Sequence, residues 1–232
     1  MANSAIHAAL SELENFKIFE GMSKEIITDL CSEGHIVVSN HREMLYKQGD
    51  RAESFGIVLS GAYKLFKLSP QGEETIVHFS TPGDIIGALI MPQPAPIYPV
   101  SSHSMGPSRF LKLSRGVFLE KWKHHQELIL KMQGLLSLRM GVFHAQKVLM
   151  KAPLSTKIAH LLMDILNKSE TSESTLPLPL TRKEIADSLG ASVESVIRIM
   201  SDWSKRGIII TEDHQIKILK VSVLLEELEK SL

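Results

Sequence analysis

Residues 181–207 read TRKEIADSLGASVESVIRIMSDWSKRG and decide how the C-terminal part of the chain folds. Thr181 and the glutamate three residues later form a capping-box pattern, in which the two side chains satisfy free backbone amides, so a helix begins there. Gly190 allows the positive φ of a tight turn, and Ser192 is a favourable N-cap for a second helix. Apolar residues recur between these signals at the spacing of two packed helices, and the small Ala186 lets the helices approach closely. The stretch therefore predicts a helix-turn-helix.

A pair of short strands is expected directly after this motif. Residues 208–210 and 216–218 are rich in isoleucine, which favours strands, and the polar residues 212–215 join them. A hairpin in this position is a wing. An amphipathic helix is predicted from residue 222 to residue 232.

The first turns of the second helix are the part that enters the major groove of DNA in this motif. Arginine can donate two hydrogen bonds to guanine, and glutamate can accept one from cytosine. Four residues are therefore predicted to read bases: Val193, Glu194, Ile197 and Arg198. Six others suit phosphate contacts, which position a domain without reading sequence: Thr181, Arg182, Lys183, Ser192, Ser195 and Lys205. The alternative for each polar residue is that it is an ordinary solvent-exposed side chain that does not contact DNA. Double-stranded DNA is the predicted partner.

The segment from about residue 36 to residue 113 favours an all-β barrel or sandwich. Glycines recur every 11 or 12 residues, at Gly49, Gly61, Gly72 and Gly83, and such spacing is typical of successive hairpins. The runs between them carry β-branched and aromatic residues. The predicted fold class is thus α+β, with a barrel followed by helices.

A long helical tract is predicted from residue 115 to residue 150. Its apolar residues repeat at heptad spacing, which suits a helix packed against a symmetry mate; they are Leu128, Leu135, Leu138, Val142 and Leu149. The alternative is a helix packed on its own domain. Ala152-Pro153 breaks the tract, because proline disfavours helical geometry in the residue before it. The predicted organisation is a sensor domain at 1–122, a dimerisation helix at 123–151 and a winged domain at 152–232.

Composition is typical of a globular chain. The 232 residues are 44% hydrophobic and 22% charged, with 26 basic and 26 acidic residues. No apolar run approaches the roughly 20 residues of a membrane-spanning helix, and no signal segment is evident, so a cytoplasmic location without membrane contact is expected. The single cysteine, Cys31, excludes an internal disulfide and is expected to be a buried apolar residue. His124-His125 and the scattered carboxylates lack the spacing of a metal or acid–base site, so no enzyme is expected.

The chain resembles the cyclic-AMP receptor and fumarate-nitrate regulator (CRP/FNR) superfamily of bacterial transcription regulators over nearly its whole length. The matching pieces are Ser60-Gly61, residues 82–87 (PGDIIG), the long helix and residues 180–207. The resemblance implies a cyclic-nucleotide-binding-type β-roll, which is a double-stranded jelly-roll-like barrel. It also implies a dimerising helix and half-sites with a TGA-like core. Glu194 and Arg198 stand where the family carries its glutamate and arginine, whereas Ile197 replaces a serine common in the oxygen-regulator branch.

The sensor half departs from the members that bind cyclic AMP. They carry a glycine–glutamate pair and, about eleven residues on, an arginine followed by serine or threonine; here a gapless match gives Gly87-Ala88 and Tyr98-Pro99. None of these side chains has the charge that a cyclic phosphate needs in place of its hydration. The predicted effector pocket comprises Gly87, Ala88, Leu89, Tyr98, Pro99 and Val100.

These residues do not determine the identity of the effector or whether one binds. Cyclic-nucleotide binding is disfavoured, with Arg109 as an alternative anion anchor, and an apolar or haem-like effector, or none, is favoured. His103 is a candidate ligand for such a molecule, against an ordinary structural role. The cysteine cluster of the oxygen regulator is absent. The function predicted is a homodimeric DNA-binding regulator that acts with RNA polymerase; the alternative is a small-molecule sensor that regulates a partner protein without DNA.

Overall fold

The computed structural model describes residues 9–167, 174–212 and 215–229, and within the long helix it leaves out the side chains of 143, 145–148 and 150. The chain divides into two compact units. The first comprises residues 1–67 and 78–139, and the second comprises residues 68–77 and 140–232. The division falls inside the long helix, and the boundary predicted near residue 152 stays a prediction.

Eight strands form the β-roll, in line with the predicted α+β class. They are β1 (His35–Ser39), β2 (Met44–Tyr46), β3 (Ser54–Ser60), β4 (Tyr63–Leu68), β5 (Glu74–Ser80), β6 (Ile85–Ile86), β7 (Ser101–Ser104) and β8 (Ser108–Ser114). One four-stranded sheet has the order β1-β8-β3-β6 and the other the order β2-β7-β4-β5. The turns that carry Gly49, Gly61, Gly72 and Gly83 all use positive φ, so the regular glycine spacing does mark the corners of the roll.

The core of the first unit joins side chains of the β-roll to side chains of the helices that pack on it. Phe55, Ile57 and Val58 on β3 and Phe110 on β8 are fully buried, since both strands lie inside their sheet. Cys31 belongs to the same core, as predicted, and burial raises the pKa of its thiol far above the ordinary value. A cysteine in this setting is an apolar packing residue.

The first unit contains the helices α1 (Lys24–Cys31) and α2 (Arg115–Glu120), and residues 9–13 are also helical. The long helix α3 (Gln126–Val148) begins in the first unit, and its residues from 140 onward belong to the second. The helical tract predicted from residue 115 is present but is interrupted before the long helix begins. A 3-10 turn, Trp122–His124, separates α2 from α3, and His125 has extended backbone geometry. The His125 Nδ1 atom accepts a hydrogen bond from the Leu128 amide at 3.3 Å, which satisfies one free amide at the start of α3.

The second unit contains α4 (Leu154–Leu166), α5 (Arg182–Leu189), α6 (Val193–Lys205), β9 (Ile209–Glu212), β10 (Gln215–Ile218) and α7 (Val221–Glu229). Strands β9 and β10 pair antiparallel as a wing; residues 213 and 214 of its predicted loop lie outside the described part of the chain. The unit has its own core, which includes Ile158, Leu162, Ile185, Val196 and Trp203. The winged helix-turn-helix predicted from the sequence is thus confirmed.

Candidate DNA-binding surface and sensor cavity

The helix-turn-helix is fixed by local hydrogen bonds at both helix starts. The Thr181 amide donates to the Glu184 carboxylate at 2.9 Å, and the Glu184 amide donates to Thr181 Oγ1 at 3.2 Å, which completes the predicted capping box. Gly190 has φ +59° at the end of α5, a left-handed geometry that glycine adopts without strain. Ser192 caps α6 by accepting from the Ser195 amide at 3.3 Å. These contacts set the angle at which α6 leaves the turn.

One face of α6 is anchored and the opposite face is free. Val196, Met200 and Trp203 are buried beneath the helix, while Glu194 and Arg198 are exposed and make no hydrogen bond or ion pair with any other described residue. Ile197 is 46% exposed beside them. Val193 is half-buried at the first turn. Three of the four predicted base-reading residues therefore share one open surface.

The predicted phosphate contacts are less uniform. Lys205 is exposed at the end of α6. Lys183 forms an exposed ion pair with Asp187 at 3.0 Å. The Arg182 guanidinium donates to Thr211 Oγ1 on β9 at 3.0 Å, and burial lowers the pKa of this arginine. Arg182 thus ties α5 to the wing in this structure.

A cavity of about 200 Å³ lies in the β-roll against α3. Its wall contains all six predicted pocket residues, Gly87, Ala88, Leu89, Tyr98, Pro99 and Val100. The other lining residues are Tyr46, Leu65, Ile85, Ile86, Ile90, Ser102, Met132, Leu135, Leu136 and Arg139. The lining is therefore largely apolar, and α3 supplies one side of it.

Backbone contacts hold the pocket wall in place. Gly87 has φ +89°, and a Cβ atom there would approach the Ser54 carbonyl oxygen to 3.3 Å. The Tyr98 hydroxyl donates to that same Ser54 carbonyl at 2.6 Å. The Tyr98 ring stacks on the Tyr46 ring, with centroids 4.2 Å apart. These contacts bring residues from distant parts of the sequence into one rigid wall.

Sequence reasoning missed the polar groups of this cavity. Ser102 and Tyr46 are 1% and 5% exposed, and the Ser102 hydroxyl oxygen is buried without a hydrogen-bond partner among the described residues. The Tyr46 hydroxyl lies beside the side chains of Ser54 and Tyr98, and burial raises its pKa. No local sequence signal marks these residues, because they come together only when β2 pairs with β7.

Arg139 is the one charged residue among the described lining residues, and it is already paired. Its guanidinium donates to the Asp84 carboxylate at 3.1 Å. The same carboxylate accepts from the Thr81 amide at 2.9 Å and has the His78 Nε2 atom 4.0 Å away. Asp84, from the family-like PGD turn, therefore neutralises the cation beside the cavity.

Two other candidates lie outside the lining. Arg109 forms a bidentate ion pair with Glu12, each contact at 3.1 Å, so its proposed place as an anion anchor in the pocket is not supported. His103 is buried against Phe66, with ring centroids 5.0 Å apart, and its Nδ1 atom is 3.1 Å from the Ser104 carbonyl oxygen. His103 is thus a structural residue rather than a pocket ligand. Among the described residues no group of histidine, cysteine, aspartate and glutamate has an arrangement suited to a metal ion.

The long helix α3 has two apolar faces, and the predicted heptad stripe is split between them. Leu128 is fully buried in the sensor core and Leu135 packs beside it. Leu138 and Val142 are 69% and 43% exposed, and Leu149 is half-buried. The prediction that Leu128 faces a partner is wrong, because a side chain with no exposed surface in one chain cannot contact a second. Heptad spacing shows where the apolar residues of a helix lie. It does not show which face of the helix packs against the core of its own chain.

Comparisons with known proteins agree with this architecture. The cyclic nucleotide-binding domain family matches residues 37–125, and the Crp-like helix-turn-helix domain family matches residues 156–227. The transcriptional activatory protein AadR of Rhodopseudomonas palustris is 28% identical over 182 residues, which cover 77% of this chain and 74% of AadR. The nitrogen fixation regulation protein FixK of Bradyrhizobium diazoefficiens is 28% identical over 72% of this chain and 70% of its own.

A solved structure shows the same fold. FixK2 from Bradyrhizobium japonicum superposes with a TM-score of 0.73 at 19% identity and covers 83% of this chain and 96% of its own. A β-roll joined to a winged helix-turn-helix defines a DNA-binding transcription regulator. The chain belongs to the CRP/FNR family of transcription regulators. Within the described ranges, no helix combines the length and apolar content needed to cross a bilayer.

Proposed function

We propose that this regulator binds as a homodimer to a palindrome with TGA-like half-sites. The observation that carries the proposal is the open face of α6, where Glu194 and Arg198 stand one turn apart and have no hydrogen-bond or ion-pair partner among the described residues. An arginine in this position can donate two hydrogen bonds to guanine, and a glutamate can accept from cytosine. Lys205 and Ser195 are proposed phosphate contacts, which set the register of the helix on DNA.

The proposed dimer contact is the exposed side of α3. Leu130 and Leu138 are 58% and 69% exposed, and a Cβ atom added to Gly134 or Gly141 would meet nothing within 4 Å. Residues 130, 134, 138 and 141 lie three or four apart and so share one face of the helix. Glycines on such a face allow a second helix to approach closely. Val142 flanks this face, and it and Leu138 are the two residues of the predicted stripe that remain available.

We propose that the sensor domain does not bind cyclic AMP in the way that other family members do. The cavity holds about 200 Å³, below the range of about 300–1,000 Å³ typical of ligand pockets. The one cation among its described lining residues, Arg139, is paired with Asp84 at 3.1 Å, so a cyclic phosphate would have to displace a carboxylate. The residues present therefore do not fit a cyclic nucleotide. RNA polymerase is the proposed protein partner of the DNA-bound dimer.

Binding of the full-length chain to labelled duplexes tests this function. We expect saturable binding to a TGA-containing palindrome, with an affinity that falls as salt is added because phosphate contacts release counterions. A scrambled duplex of the same length and composition should bind far more weakly at each salt concentration. Equal affinity for the two duplexes would contradict sequence-specific recognition, and no binding to either would favour a sensor that acts on a protein partner.

A further inference from the structure

From the contacts of the winged unit we infer that Arg182 supports DNA recognition by holding the wing in place beside the helix-turn-helix, and not by contacting a phosphate. The inference rests on the proposed function, because it concerns binding to the TGA-like palindrome. It gives a positioning role to a side chain that the sequence predicts to lie on the DNA backbone.

The link between α5 and the wing is a single charged hydrogen bond. Arg182 is the first residue of α5, and Thr211 lies on β9, 29 positions further along the chain. Side chains alternate along a strand, so Ile209 and Thr211 lie on the inner side of β9, while Ile210 and Glu212 are exposed on the outer side. The Arg182 Nη2 atom donates to Thr211 Oγ1 at 3.0 Å. Because a charged donor forms a stronger hydrogen bond than a neutral one, this contact can fix the hairpin against α5.

Backbone hydrogen bonds anchor the wing at the end away from its loop and along β10. The Ile208 amide donates to the Trp203 carbonyl at 2.9 Å, and the Leu219 amide donates to the Ile208 carbonyl at 2.8 Å. Residues 174–176 pair with the edge of β10 that lies opposite β9. A hairpin of two strands is only marginally stable by itself, so a contact made on β9 helps to decide where the loop end lies.

The position of the loop end matters because this end is acidic. Glu212 is exposed at the end of β9, and Asp213 follows it in the sequence. In a helix-turn-helix the first helix crosses the DNA backbone, so a wing tied to the start of α5 lies close to phosphates. The tie keeps the two carboxylates in one place, whereas a released wing can bring them against the phosphates, which repel them.

The environment of Arg182 favours this role over a phosphate contact. The side chain is half-buried, and burial lowers the pKa of its guanidinium. To extend to a phosphate, the guanidinium would have to turn away from Thr211 and leave the hydroxyl without its donor, which has a cost of its own. The next residue, Lys183, is exposed and has no such link to the wing.

Substitutions at the two ends of the link test the role. Anisotropy titrations use the full-length chain and the TGA palindrome, at a temperature well below the thermal midpoint of every variant. Arg182→Ala and Thr211→Val should each raise the Kd about three- to tenfold, the worth of one net hydrogen bond. The double variant should bind no more weakly than either single variant, because both changes remove the same contact. Thr211→Ser is the matched control: it keeps the hydroxyl and should bind nearly as well as the unaltered chain.

The salt dependence of the same titrations separates the link from a phosphate contact. Each phosphate contact contributes about 0.9 to the slope of log K against log salt. Arg182→Ala and Thr211→Val should share one slope, since both release the wing and neither removes a phosphate contact. A slope that is smaller by about 0.9 in Arg182→Ala alone would assign Arg182 to a phosphate and overturn the inference. Additive losses in the double variant, or a Thr211→Ser chain as weak as Thr211→Val, would overturn it too.

The unaltered chain separates a failure of this role from a failure of the proposed function. If it prefers the palindrome to the scrambled duplex, and both single variants bind as tightly as it does, the positioning role alone is wrong. If it shows no preference between the two duplexes, the proposed function and the positioning role are both wrong.

Discussion

Arg198 and Glu194 are the charged residues that we propose read bases in the DNA site. They stand four residues apart on α6, and the helix between them is anchored by Val196, which is fully buried. Neither charged side chain is held by a described neighbour, so both can adapt to base edges without first breaking a contact in the protein. A surface selected only for solubility would not require this pair at the start of a helix that follows a capped turn.

Replacing Arg198 by alanine should weaken binding to the preferred palindrome by about 1–3 kcal/mol, since a bidentate contact to guanine is lost. The preference at one base pair of the half-site should relax at the same time. Anisotropy titrations against duplexes substituted at each half-site position measure both effects.

Arg206→Ala is the matched control for this change. Arg206 is exposed just after α6, and its guanidinium pairs with Asp202 at 3.1 Å. The control should change affinity equally for all duplexes, or not at all. If Arg198→Ala also weakens all duplexes equally, Arg198 contacts phosphate instead of a base.

Sequence reasoning identified the residues of local motifs and missed those of long-range contacts. Thr181, Gly190 and Ser192 were recognisable because capping and turn chemistry is encoded within four or five positions. The six pocket residues were recognisable through the family pattern, and the structure places all of them on one cavity. Ser102, Tyr46 and Arg139 were missed because sheet pairing and helix docking bring them there, and neither leaves a local pattern.

At the scale of elements, α3 shows why apolar spacing alone misassigns a face. The inner face carries Leu128 and Met132, which belong to the sensor core. The outer face carries Leu138, with glycines on either side at 134 and 141. The heptad stripe drawn through Leu128 crosses from one face to the other, because α3 is apolar on both sides. A helix of this kind needs a cover on each face, which is a further argument for the dimer.

The two faces of α3 should respond differently to substitution. Leu128→Ala should cost about 2–5 kcal/mol of unfolding free energy, because it opens a cavity in the sensor core. Leu138→Glu should leave the stability of the single chain nearly unchanged, since the site is 69% exposed, yet should convert the dimer to a monomer by placing like charges face to face.

Sedimentation and thermal unfolding of the two variants distinguish these effects. A Leu138→Glu chain that remains dimeric would exclude this face as the interface. The Leu128→Ala chain serves as its control, because it should lose stability without a selective loss of the dimer.

Helix α4 contains a pH-dependent contact. The His160 Nδ1 atom lies 3.1 Å from the Asp164 carboxylate, and this hydrogen bond raises the pKa of His160, with burial opposing it. A raised pKa in the folded state means that the pair stabilises the fold fully below about pH 6.5, the ordinary pKa of histidine, provided Asp164 is ionised. The stabilisation is lost as the pH rises through the raised value.

Asp164→Asn should therefore lower the thermal midpoint more at about pH 5.5 than at about pH 8.5, on either side of the ordinary histidine pKa. The exposed Lys183–Asp187 pair supplies the control, because Asp187→Asn removes an ion pair whose lysine stays charged throughout this range. Its effect should be equal at the two pH values. A pH-independent effect of Asp164→Asn would contradict the assignment to His160.

At the scale of the whole molecule, the charge balance sets the manner of DNA binding. The chain has 26 basic and 26 acidic residues, so it presents no general attraction for polyanions, and a few placed contacts have to select the site. In the proposed dimer, two recognition helices related by a dimer axis would read two half-sites on the same face of the duplex, about 34 Å apart. Affinity should depend on both half-sites together, since one α6 surface with so few contacts binds weakly.

This symmetry predicts a strong dependence on half-site spacing. Inserting about 5 base pairs between the TGA-like half-sites turns one of them to the opposite face of the duplex, while about 10 restores the face and increases only the distance. We expect the 5-base-pair insertion to reduce affinity to that of a single half-site, as measured by anisotropy with the full-length chain. The Leu138→Glu variant provides the internal check, because a monomer should bind every spacing with the same weak affinity. Unchanged binding to the 5-base-pair insertion by the unaltered chain would show that the two helices do not act as a fixed pair, and recognition would then have to be assigned to one α6 surface alone.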